Sequence, residues 1–511
     1  MKFKVQVVTL LDDGEESLRE VACVERDDLS AVSLGLSIAD SKAIVQGMQE
    51  VVVEWQMNAY LDTQHHCPQC GKLRHRKGLH HAVFRTVFGD VPVESPRFIH
   101  CPCQAHETES FSPLAELLPE RTTPELLYLE TKWASLSSYG MSVKLLQDVL
   151  PFDEPLEPVT IRNHVCKLAE RLEDELGDEQ GAFIEGCPRD WGEFPTPDGP
   201  LTVGIDGGYV KAQGTEQGWF EVIAGKSILS FRRGDEQPHP SIKCFAFVQT
   251  YDEKPKRRLF ELLQSQGLQM NQQIEFLSDG GDTVRDVQLY LSPEAEHLLD
   301  WFHLTMRLTT MTQSAKGLPD KIGDETPLPL RDEVLRQLER TKWFLWHGNV
   351  FQALQVLTSI HLDLEMASWE RDEVRIGKLC KTVQECYTFI DRNRAFIPNY
   401  GERYRSGERI STGFVESTVN QVVSKRMVKK QQMRWSHRGA HLLLQIRTRV
   451  LNGDWEDVFR RWYPGFRAQT QPRFRLSLSD SFSFVQSVGI RCTPLSPEPH
   501  LDVAVCPAWL M

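Results

Sequence analysis

Alternating apolar and polar residues in the middle of the chain predict a β-sheet. From residue 201, the segments LTVGIDGGYVKA, GWFEVIAGKSILSF and IKCFAFVQTY are rich in strand-forming residues and are separated by turn residues. A helix (KPKRRLFELLQSQGL), a strand (QIEFLSDGG), a second helix (GDTVRDVQLYL) and a strand leading into a helix (AEHLLDWFHLTMRL) follow. The predicted order of elements is therefore β-β-β-α-β-α-β.

The next hundred residues lose the strand pattern. Residues 305 to about 400 show helical periodicity almost throughout, for instance in RDEVLRQLERTKWFLWHGNVFQALQVLTSIHLDLE, and predict an all-α insertion. The segment YGERYRSGERISTGFVESTVNQ then resumes with a loop and a basic helix. Beyond about Gly453 the chain has aromatic pairs and then Ser- and Pro-rich sequence, which is typical of a loosely packed extension.

The first two hundred residues are more varied. A strand (KFKVQVVTL) precedes an amphipathic helix (DSKAIVQGMQEVVVEWQMNAYL), and residues 120 to 175 form three helical segments. The third of these opens Pro158-Val159-Thr160, with Arg162, Asn163 and His164 expected to be exposed, as in a DNA-binding helix-turn-helix. Small helical bundles have the same pattern, so plain structural packing is the alternative. Residues 177 to 200 are rich in Gly, Pro and acids and predict a linker or loop.

These patterns divide the chain of 511 residues into seven segments. At typical domain size a chain of this length holds about three or four domains. The predicted segments are 1–62 (strand and helix), 63–110 (zinc-binding ribbon-like module), 111–176 (helix-turn-helix), 177–304 (first part of an α/β core), 305–405 (all-α insertion), 406–455 (second part of the core, with the basic helix) and 456–511 (C-terminal extension).

Composition narrows the class of protein. With 41% hydrophobic and 25% charged residues, the chain is typical of soluble globular proteins. We find no apolar run long enough for a transmembrane helix and no signal-peptide pattern, so we expect a cytoplasmic protein. The net charge of -13 argues against general coating of nucleic acid. Between Arg403 and Arg449, however, eleven Lys and Arg face only two acids, which favours local phosphate contacts.

Four of the twelve cysteines form one cluster. Cys67 and Cys70, in the knuckle sequence CPQC, and Cys101 and Cys103, in CPC, flank about thirty residues with short strands. This is the layout of a zinc ribbon, in which four thiolates bind Zn²⁺ tetrahedrally and replace a core too small to be stable alone. The second pair has one intervening residue instead of the usual two, so a histidine could replace one ligand. The candidate histidines are His66, His100 and His106.

Three acids are candidate ligands of a different metal. Asp206 and Asp279 each follow an apolar strand and precede two glycines, a setting that presents a carboxylate to a metal. Glu416 lies near the start of the basic helix. Three hard oxygen ligands suit Mg²⁺ or Mn²⁺, and two ions about 3.5–4 Å apart would activate a hydroxyl and stabilise a leaving oxygen. Taken singly, these residues are equally typical of turn aspartates and of a helix N-terminal glutamate. Asp282 and Asp286 are nearby competitors.

The basic helix itself has features of a DNA contact. The segment VSKRMVKKQQMRWSHRGAHLLLQIRTR interleaves cations with Trp435 and His437, which suits phosphate contacts and stacking on a frayed base. A solvated helix face is the alternative. The predicted DNA-binding residues are Arg162 and Asn163 of the helix-turn-helix and Lys425, Arg426, Lys429, Lys430, Arg434 and Trp435 of the basic segment.

The order of elements together with these acids resembles the DDE transposases that have a ribonuclease H-like fold. The resemblance is greatest to bacterial insertion-sequence transposases related to the Mutator-like and hAT-like groups. It covers about residues 65 to 452, and its most specific parts are SDGG, DWFH and GFVES. Asp300 and His303 match the family's D/C-x-x-H pattern on the strand after the second aspartate. A long helical insertion before the glutamate, and a zinc module followed by a helix-turn-helix, fit as well.

The resemblance implies a multidomain α+β protein with a ribonuclease H-like core. It implies that Asp206, Asp279 and Glu416 bind Mg²⁺ or Mn²⁺, that Asp300 and His303 assist or position at the scissile phosphate, and that a homo-oligomer cuts the terminal inverted repeats of an insertion sequence and joins them to target DNA. Two other functions stay open: a non-catalytic DNA-binding regulator derived from a transposase, and another ribonuclease H-like nuclease such as a resolvase or an RNase.

Overall fold

The computed structural model describes most of the chain up to residue 467. The described residues are 1–10, 14–103, 109–152, 156–180, 183, 200–214, 218–228, 242–281, 295–322, 328–370, 374–428 and 433–467. The predicted helix GDTVRDVQLYL, most of the predicted linker, Asp282, Asp286, His106, Lys429, Lys430 and the Ser- and Pro-rich tail lie outside these ranges. In the described part, no helix is both long and apolar enough to cross a membrane.

A mixed five-stranded sheet forms the centre of the fold, and its order is β8-β7-β6-β9-β10. Strands β6, β9 and β10 are mutually parallel, whereas β7 runs antiparallel to both β6 and β8. The predicted succession of strands is confirmed, with the helix between β9 and β10 lying outside the described residues. The strands are β6 (Leu201–Lys211), β7 (Trp219–Ile228), β8 (Lys243–Val248), β9 (Ile274–Ser278) and β10 (Glu296–Leu299).

The two faces of this sheet are covered differently. Helix α6 (Pro255–Gln264) packs on one face, where its leucines meet Val203 and Ile205 of β6 in an apolar core. Helix α12 (Gly413–Val419) and the π-helix that continues it (Asn420–Val428) pack on the other face. Since side chains alternate along a strand, residues 204, 206 and 208 of β6 point towards α12.

A helical unit lies between β10 and α12 and has its own apolar core. It was predicted as all-α, and the structure adds a minimal antiparallel pair, β11 (Lys321–Ile322) and β12 (Leu328–Pro329). Tyr400 is completely buried, and its hydroxyl donates to the carbonyl of Leu299 at 2.7 Å, which attaches the unit to the end of β10. Its helices are α7 (Trp301–Ala315), α8 (Arg331–Trp346), α9 (Val350–Glu370), α10 (Val374–Arg392), a 3-10 turn (Arg394–Phe396) and α11 (Tyr400–Arg405).

The N-terminal part contains two small sheets. The predicted strand β1 (Lys2–Leu10) is confirmed, and it pairs with a second strand, β2 (Glu16–Glu25), which the sequence pattern missed. Helix α1 (Ile38–Gln64) confirms the predicted helix but only part of its apolar face, since Val51 and Val53 are buried whereas Met48, Val52 and Trp55 are exposed. The predicted ribbon strands form an antiparallel hairpin, β3 (Arg76–Thr86) and β4 (Gly89–Ile99), with a short third strand, β5 (Ser110–Phe111), and then helix α2 (Pro113–Leu117).

The predicted helix-turn-helix region is a three-helix bundle made of α3 (Pro124–Leu136), α4 (Tyr139–Val149) and α5 (Pro158–Glu175). Eight residues separate α4 from α5, which is longer than the three- or four-residue turn of the DNA-binding motif. Helix α13 (His437–Asn452) shares a core with this bundle and with the sheet.

The prediction of a loose extension after Gly453 is wrong for its first helix, α14 (Trp455–Trp462). Trp455 and Phe459 are almost fully buried in the same core as α3 and α13. The aromatic pairs that suggested irregular chain are instead the apolar face of an amphipathic helix, with Arg460 and Arg461 on its other side.

Candidate functional site

Two of the predicted acids, Asp206 and Asp279, lie side by side where the parallel pairing of β6 with β9 ends. The parallel pairing of β6 and β9 ends at Gly204 opposite Leu277, and continuing this register by two residues places Asp206 level with Asp279. Asp279 directly follows β9, as predicted. Asp206 does not end its strand, because β6 continues to Lys211 in antiparallel pairing with β7. Asp206 lies just beyond the point where its parallel pairing with β9 stops, so its carboxylate and that of Asp279 lie at the same end of the two strands.

Burial dominates the electrostatics of Asp206. Burial raises the pKa of the Asp206 carboxyl, and the negative charges of Asp279 and Asp300 raise it further. The backbone N–H of Gly207, which donates to Asp206 at 2.8 Å, and the His303 imidazole oppose that rise. A partly buried carboxylate among other acids is less costly when a cation lies beside it.

Asp300 is held entirely by contacts within the chain. It is fully buried and caps α7, accepting hydrogen bonds from the backbone N–H of Phe302 at 2.8 Å and of Thr412 at 3.1 Å. The Thr412 hydroxyl also donates to it, and the His303 Nδ1 lies 2.7 Å from its second oxygen. With both oxygens engaged by the chain itself, Asp300 positions its neighbours and is not exposed to a substrate.

His303 contacts Asp300 and interacts electrostatically with Asp206 and Asp279. Its hydrogen bond to Asp300 raises the pKa of the imidazole, and the nearby charges of Asp206 and Asp279 add to the rise against the effect of burial. About a fifth of the side chain is exposed. The imidazole is therefore held by Nδ1, and its protonated form is favoured to higher pH than that of an ordinary histidine.

The contacts of Asp300 with Thr412 also fix the helix that carries Glu416. Thr412 is the residue before α12, and the backbone N–H of Trp301 donates to Ile410 at 3.0 Å. Glu416 lies in the first turn of α12, as predicted, and its side chain is exposed. Thus the chain returns from the helical unit directly to the end of β10.

Two glycines of β6 let α12 approach the strand closely. A Cβ at Gly204 would lie 2.1 Å from a methyl of Val415, and one at Gly208 would lie 3.0 Å from a methyl of Val419. Asp206 lies between these glycines on the same face, so α12 crosses the sheet beside it. The three acids do not form a single close cluster: in the described part of the chain, only two other groups of potential ligands have their atoms within 4.8 Å of one another.

Gly204→Ala tests this close approach. We expect a loss of about 1–3 kcal/mol in the free energy of unfolding, because the new methyl overlaps buried Val415, whose β-branched side chain is stiff. Chemical denaturation measures the change. Gly377→Ala is the matched control, since a Cβ at this exposed position in the first turn of α10 meets nothing within 4 Å and should be neutral or stabilising. Equal effects of the two substitutions would contradict the packing described.

The four cysteines of the N-terminal module lie together. The Sγ atoms of Cys67 and Cys103 are 3.5 Å apart, and those of Cys70 and Cys101 are 3.4 Å apart. These separations exclude disulfide bonds and approach the ~3.8 Å between thiolates at tetrahedral Zn²⁺. A hydrogen bond from the backbone of Cys70 lowers the pKa of the Cys67 thiol to about 6, whereas hydrogen bonds with Cys101 and Cys67 raise the pKa of Cys103 to about 12. The four thiols thus share protons, which a bound metal would displace.

This group could hold a structural zinc ion. Neither His66 nor His100 belongs to it, and the His100 ring instead stacks on Phe111 with centroids 4.6 Å apart. The one-residue spacing of the CPC pair is therefore compatible with four thiol ligands. The turn between Cys67 and Lys72 is closed by backbone hydrogen bonds at 2.9 Å, so the first pair has the form of a knuckle.

Replacing Cys67 by Ser is expected to remove the bound zinc. A serine hydroxyl is a poor zinc ligand, and a site with three thiolates binds far more weakly, so we expect less than one zinc per chain by atomic emission spectroscopy. Limited proteolysis should then cut within residues 66–103. Exposed Cys23→Ser, outside the group, is the control and should retain zinc. Retention of full zinc by Cys67→Ser would exclude this site.

Part of the predicted DNA-binding set is buried. Arg426 is fully buried, lies 5.2 Å from the ring centres of both Tyr139 and Trp435, and donates to the carbonyl of Ala134 at 3.0 Å. Trp435 is only 5% exposed. The predicted DNA contacts of Arg426 and Trp435 are therefore wrong, because both side chains join the basic segment to α3 and α4. Lys425 and Arg434 are exposed, as the prediction requires.

The wider basic stretch is also partly structural. Arg447 donates to the carbonyl of Val422 at 2.7 Å and to that of Ser135 near the C-terminal end of α3. A cation at this end of a helix interacts favourably with the helix dipole. Arg403 forms ion pairs with three glutamates, among them Glu275 at 2.8 Å. The net positive charge that the stretch from Arg403 to Arg449 exposes is thus smaller than its sequence suggested.

The exposed face of α5 matches the prediction only in part. Arg162 and Asn163 are exposed. His164 is not, because its Nδ1 lies 2.5 Å from the carboxylate of Glu130, which is completely buried. The expectation that His164 is available to DNA is therefore wrong, and this residue holds α5 against α3.

A buried ionic network joins α5 to the core. Arg258 on α6 contacts Glu173 through two hydrogen bonds of 3.0 and 2.8 Å, and its Nε donates to Asp252 at 2.9 Å. His441 of α13 lies 3.5 Å from Glu173. The ligand atoms of Glu173, Asp252 and His441 are close enough for a metal, but the Arg258 guanidinium already pairs with both acids, so we interpret the group as an ion-pair network.

Sequence reasoning missed several residues of the site. Thr412 precedes the glycine of GFVES and had a detectable signal, since Ser and Thr are common just before a helix. The i, i+4 spacing of Gly204 and Gly208 on one face of a strand was a second signal. The Arg258 network had no local signal, because its members are separated by up to 268 residues along the chain.

Comparison with models of known protein families and with curated proteins finds no match for this chain.

Proposed function

We propose that this chain is a DDE-type DNA transposase that cuts the ends of an insertion sequence and joins them to target DNA. The observation that carries the proposal is the alignment of Asp206 with Asp279 at the edge of a mixed sheet, next to the helix that carries Glu416. The strand order β8-β7-β6-β9-β10, with only β7 antiparallel, supports a ribonuclease H-like core, since that fold has the same order. A helical unit between β10 and α12 fits the same family pattern.

The donor set suits hard divalent cations. Asp206, Asp279 and Glu416 offer carboxylate oxygens, and burial raises the pKa of Asp206, so a bound cation would favour its ionised form. Bound Mg²⁺ or Mn²⁺ would lower the pKa of a hydroxyl nucleophile and stabilise the leaving oxygen. Asp206 in β6, Asp279 directly after β9 and Glu416 in α12 would hold these ions.

The remaining residues would act on the scissile phosphate and on the geometry. A protonated His303, with Nδ1 held by Asp300, directs positive charge towards the acids and can donate Nε2–H to a phosphate oxygen. Asp300 is a positioning residue, because it is buried and its oxygens join the start of α7 to Thr412. Lys425, Arg434, Arg162 and Asn163, all exposed, are the described residues of the predicted set that remain available for DNA.

Purified protein, given Mg²⁺ and oligonucleotides bearing the inverted repeats that flank its gene, should produce a nick or break at the repeat end and a joined product. Strand cleavage is followed on denaturing gels with and without the metal. Absence of both products with every end tested, together with tight end binding, would instead support a non-catalytic regulator. Cleavage of RNA–DNA hybrids or four-way junctions in preference to linear ends would identify another ribonuclease H-like nuclease.

A further inference from the structure

A cavity of about 470 Å³ lies beside the edge strand β8. Its walls are formed by α5, β8, α6, α13 and α14. Strand β7 separates β8 from β6, and none of the three proposed metal ligands lines the cavity. Small-molecule sites in proteins occupy roughly 300–1,000 Å³. The fold therefore leaves room for a ligand that the proposed catalytic site does not use.

The lining combines apolar side chains with several charged ones. Leu172, Leu176 and Leu262 provide apolar surface. Four arginines and two glutamates also line the cavity, namely Arg171 and Glu175 of α5, Arg258 and Glu261 of α6, Arg449 of α13 and Arg461 of α14. A lining of this kind suits a ligand that has a charged group and an apolar part.

Two of these arginines share one carboxylate. Glu175 lies 2.6 Å from Arg461 and 3.5 Å from Arg171, and it also accepts a hydrogen bond from the indole N–H of Trp462. The Arg171 guanidinium is held against the wall, 4.4 Å from the ring centre of Trp462. One of the two guanidinium charges is therefore left without a carboxylate of its own.

Arg449 is in a similar position on the facing helix α13. Its Nη1 lies 3.8 Å from Asp454, but the same carboxylate oxygen is only 3.1 Å from the Nζ of Lys243. Burial lowers the pKa of the Arg449 guanidinium, and the charge of Asp454 opposes this effect. An anion beside Arg449 would favour its charged form.

The walls as a whole carry an excess of positive charge. The two shared carboxylates are each paired with two cations, which leaves two positive charges. Glu261 does not reduce this excess, because it is paired with Arg257 at 2.7 Å. The buried network of Arg258 has one guanidinium and two carboxylates, which lowers the excess to one with His441 neutral. The cavity therefore favours an anionic ligand.

We propose that this cavity binds a small phosphate-bearing molecule, with Arg449 and Arg171 as the principal contacts of the phosphate group. The planar guanidinium forms two parallel hydrogen bonds with phosphate oxygens, and a phosphate supplies the negative charge that the walls lack. The three leucines offer a surface for an organic part of the ligand. This site is independent of the proposed function, since its residues do not contact the strand-end acids.

The test uses the full-length protein in phosphate-free buffer. Isothermal titration calorimetry measures the binding of inorganic phosphate, ribose 5-phosphate and AMP, and ribose and adenosine serve as uncharged counterparts. The variants are Arg449→Gln, Arg171→Gln and, as a control with the same charge change, Arg375→Gln at an exposed position of α10. Melting temperatures without ligand establish which variants are folded, and Arg171→Gln keeps the test valid if Arg449→Gln unfolds.

We expect at least one of the three phosphates to bind the wild type with one site per chain and to raise its melting temperature. Arg449→Gln and Arg171→Gln should each weaken this binding about tenfold, whereas Arg375→Gln should not change it. Tighter binding of the esters than of inorganic phosphate would identify an organic phosphate as the ligand, and equal affinities would identify free phosphate. Lack of binding by all three phosphates overturns the inference. Wild-type affinity in the folded Arg449 and Arg171 variants, or adenosine binding as tightly as AMP, overturns it as well.

Discussion

Asp206→Asn is expected to reduce Mg²⁺-dependent cleavage of element ends by about 10³-fold or more, with little effect on DNA binding. The carboxylate is a proposed ligand of ions that supply several kcal/mol of transition-state stabilisation, and each 1.36 kcal/mol lost costs a factor of ten in rate. An amide has the same shape but lacks the negative charge. Single-turnover cleavage, measured with saturating Mg²⁺, reports the loss. Glu416→Gln should show a loss of similar size.

The stability of the same variant distinguishes a catalytic acid from a structural one. Burial and neighbouring acids raise the pKa of the Asp206 carboxyl, so its ionised form is unfavourable in the folded protein. Asp206→Asn should therefore unfold at the same or a higher denaturant concentration than wild type. Glu339→Gln, at an exposed position of α8, is the control and should change neither activity nor stability. Full activity in both Asp206→Asn and Glu416→Gln would show that these acids are not the metal ligands.

Arg258→Met is expected to lower the free energy of unfolding by about 3–5 kcal/mol, the loss typical when one partner of a buried ion pair is removed. Without the guanidinium, the buried carboxylate of Asp252 and the partly buried one of Glu173 both lose their ion-pair partner. Urea denaturation followed by tryptophan fluorescence measures the effect. Because Arg258 links α6, α5 and α13, the loss should appear in the main transition rather than as local fraying.

The pKa of Glu173 determines how the stability loss in Arg258→Met depends on pH. Burial alone would raise its pKa, but hydrogen bonds from His441 and Arg258 lower it to about 2. A carboxyl whose pKa is lower in the folded than in the unfolded state stabilises the fold above its unfolded pKa of about 4.3, and this stabilisation is lost as pH falls towards the folded value. The difference between wild type and Arg258→Met should therefore shrink between about pH 4.3 and pH 2.

Two further variants make the interpretation specific. Exposed Arg336→Met, which removes an ion pair with Glu333 on the surface of α8, should leave stability unchanged within error. Adding Glu173→Gln and Asp252→Asn to Arg258→Met should recover part of the loss, since the buried charges are then removed together. A small effect of Arg258→Met at neutral pH would show that water replaces the guanidinium.

Local sequence predicted most elements of the fold. The strand succession from Leu201, the helical unit and the knuckle of Cys67 and Cys70 are confirmed, because period, turn residues and thiol spacing are local properties of the chain. The same reasoning failed where burial was decided elsewhere. By sequence pattern, Arg426 and His164 are typical of a DNA-facing surface and Trp455 of a loose extension. Each is instead covered by an element distant in sequence.

By itself, the sequence determined which residues could carry chemistry: four clustered thiols, two strand-associated aspartates and a glutamate that opens a helix. The tertiary structure alone decided which of them meet. Parallel pairing of β6 with β9 aligns Asp206 with Asp279, and the hydrogen bonds of Asp300 to Thr412 bring α12 back across 112 residues to lie on Gly204 and Gly208. The physical reason is that register, close backbone approach and the burial of charges depend on contacts between distant segments, which no local pattern specifies.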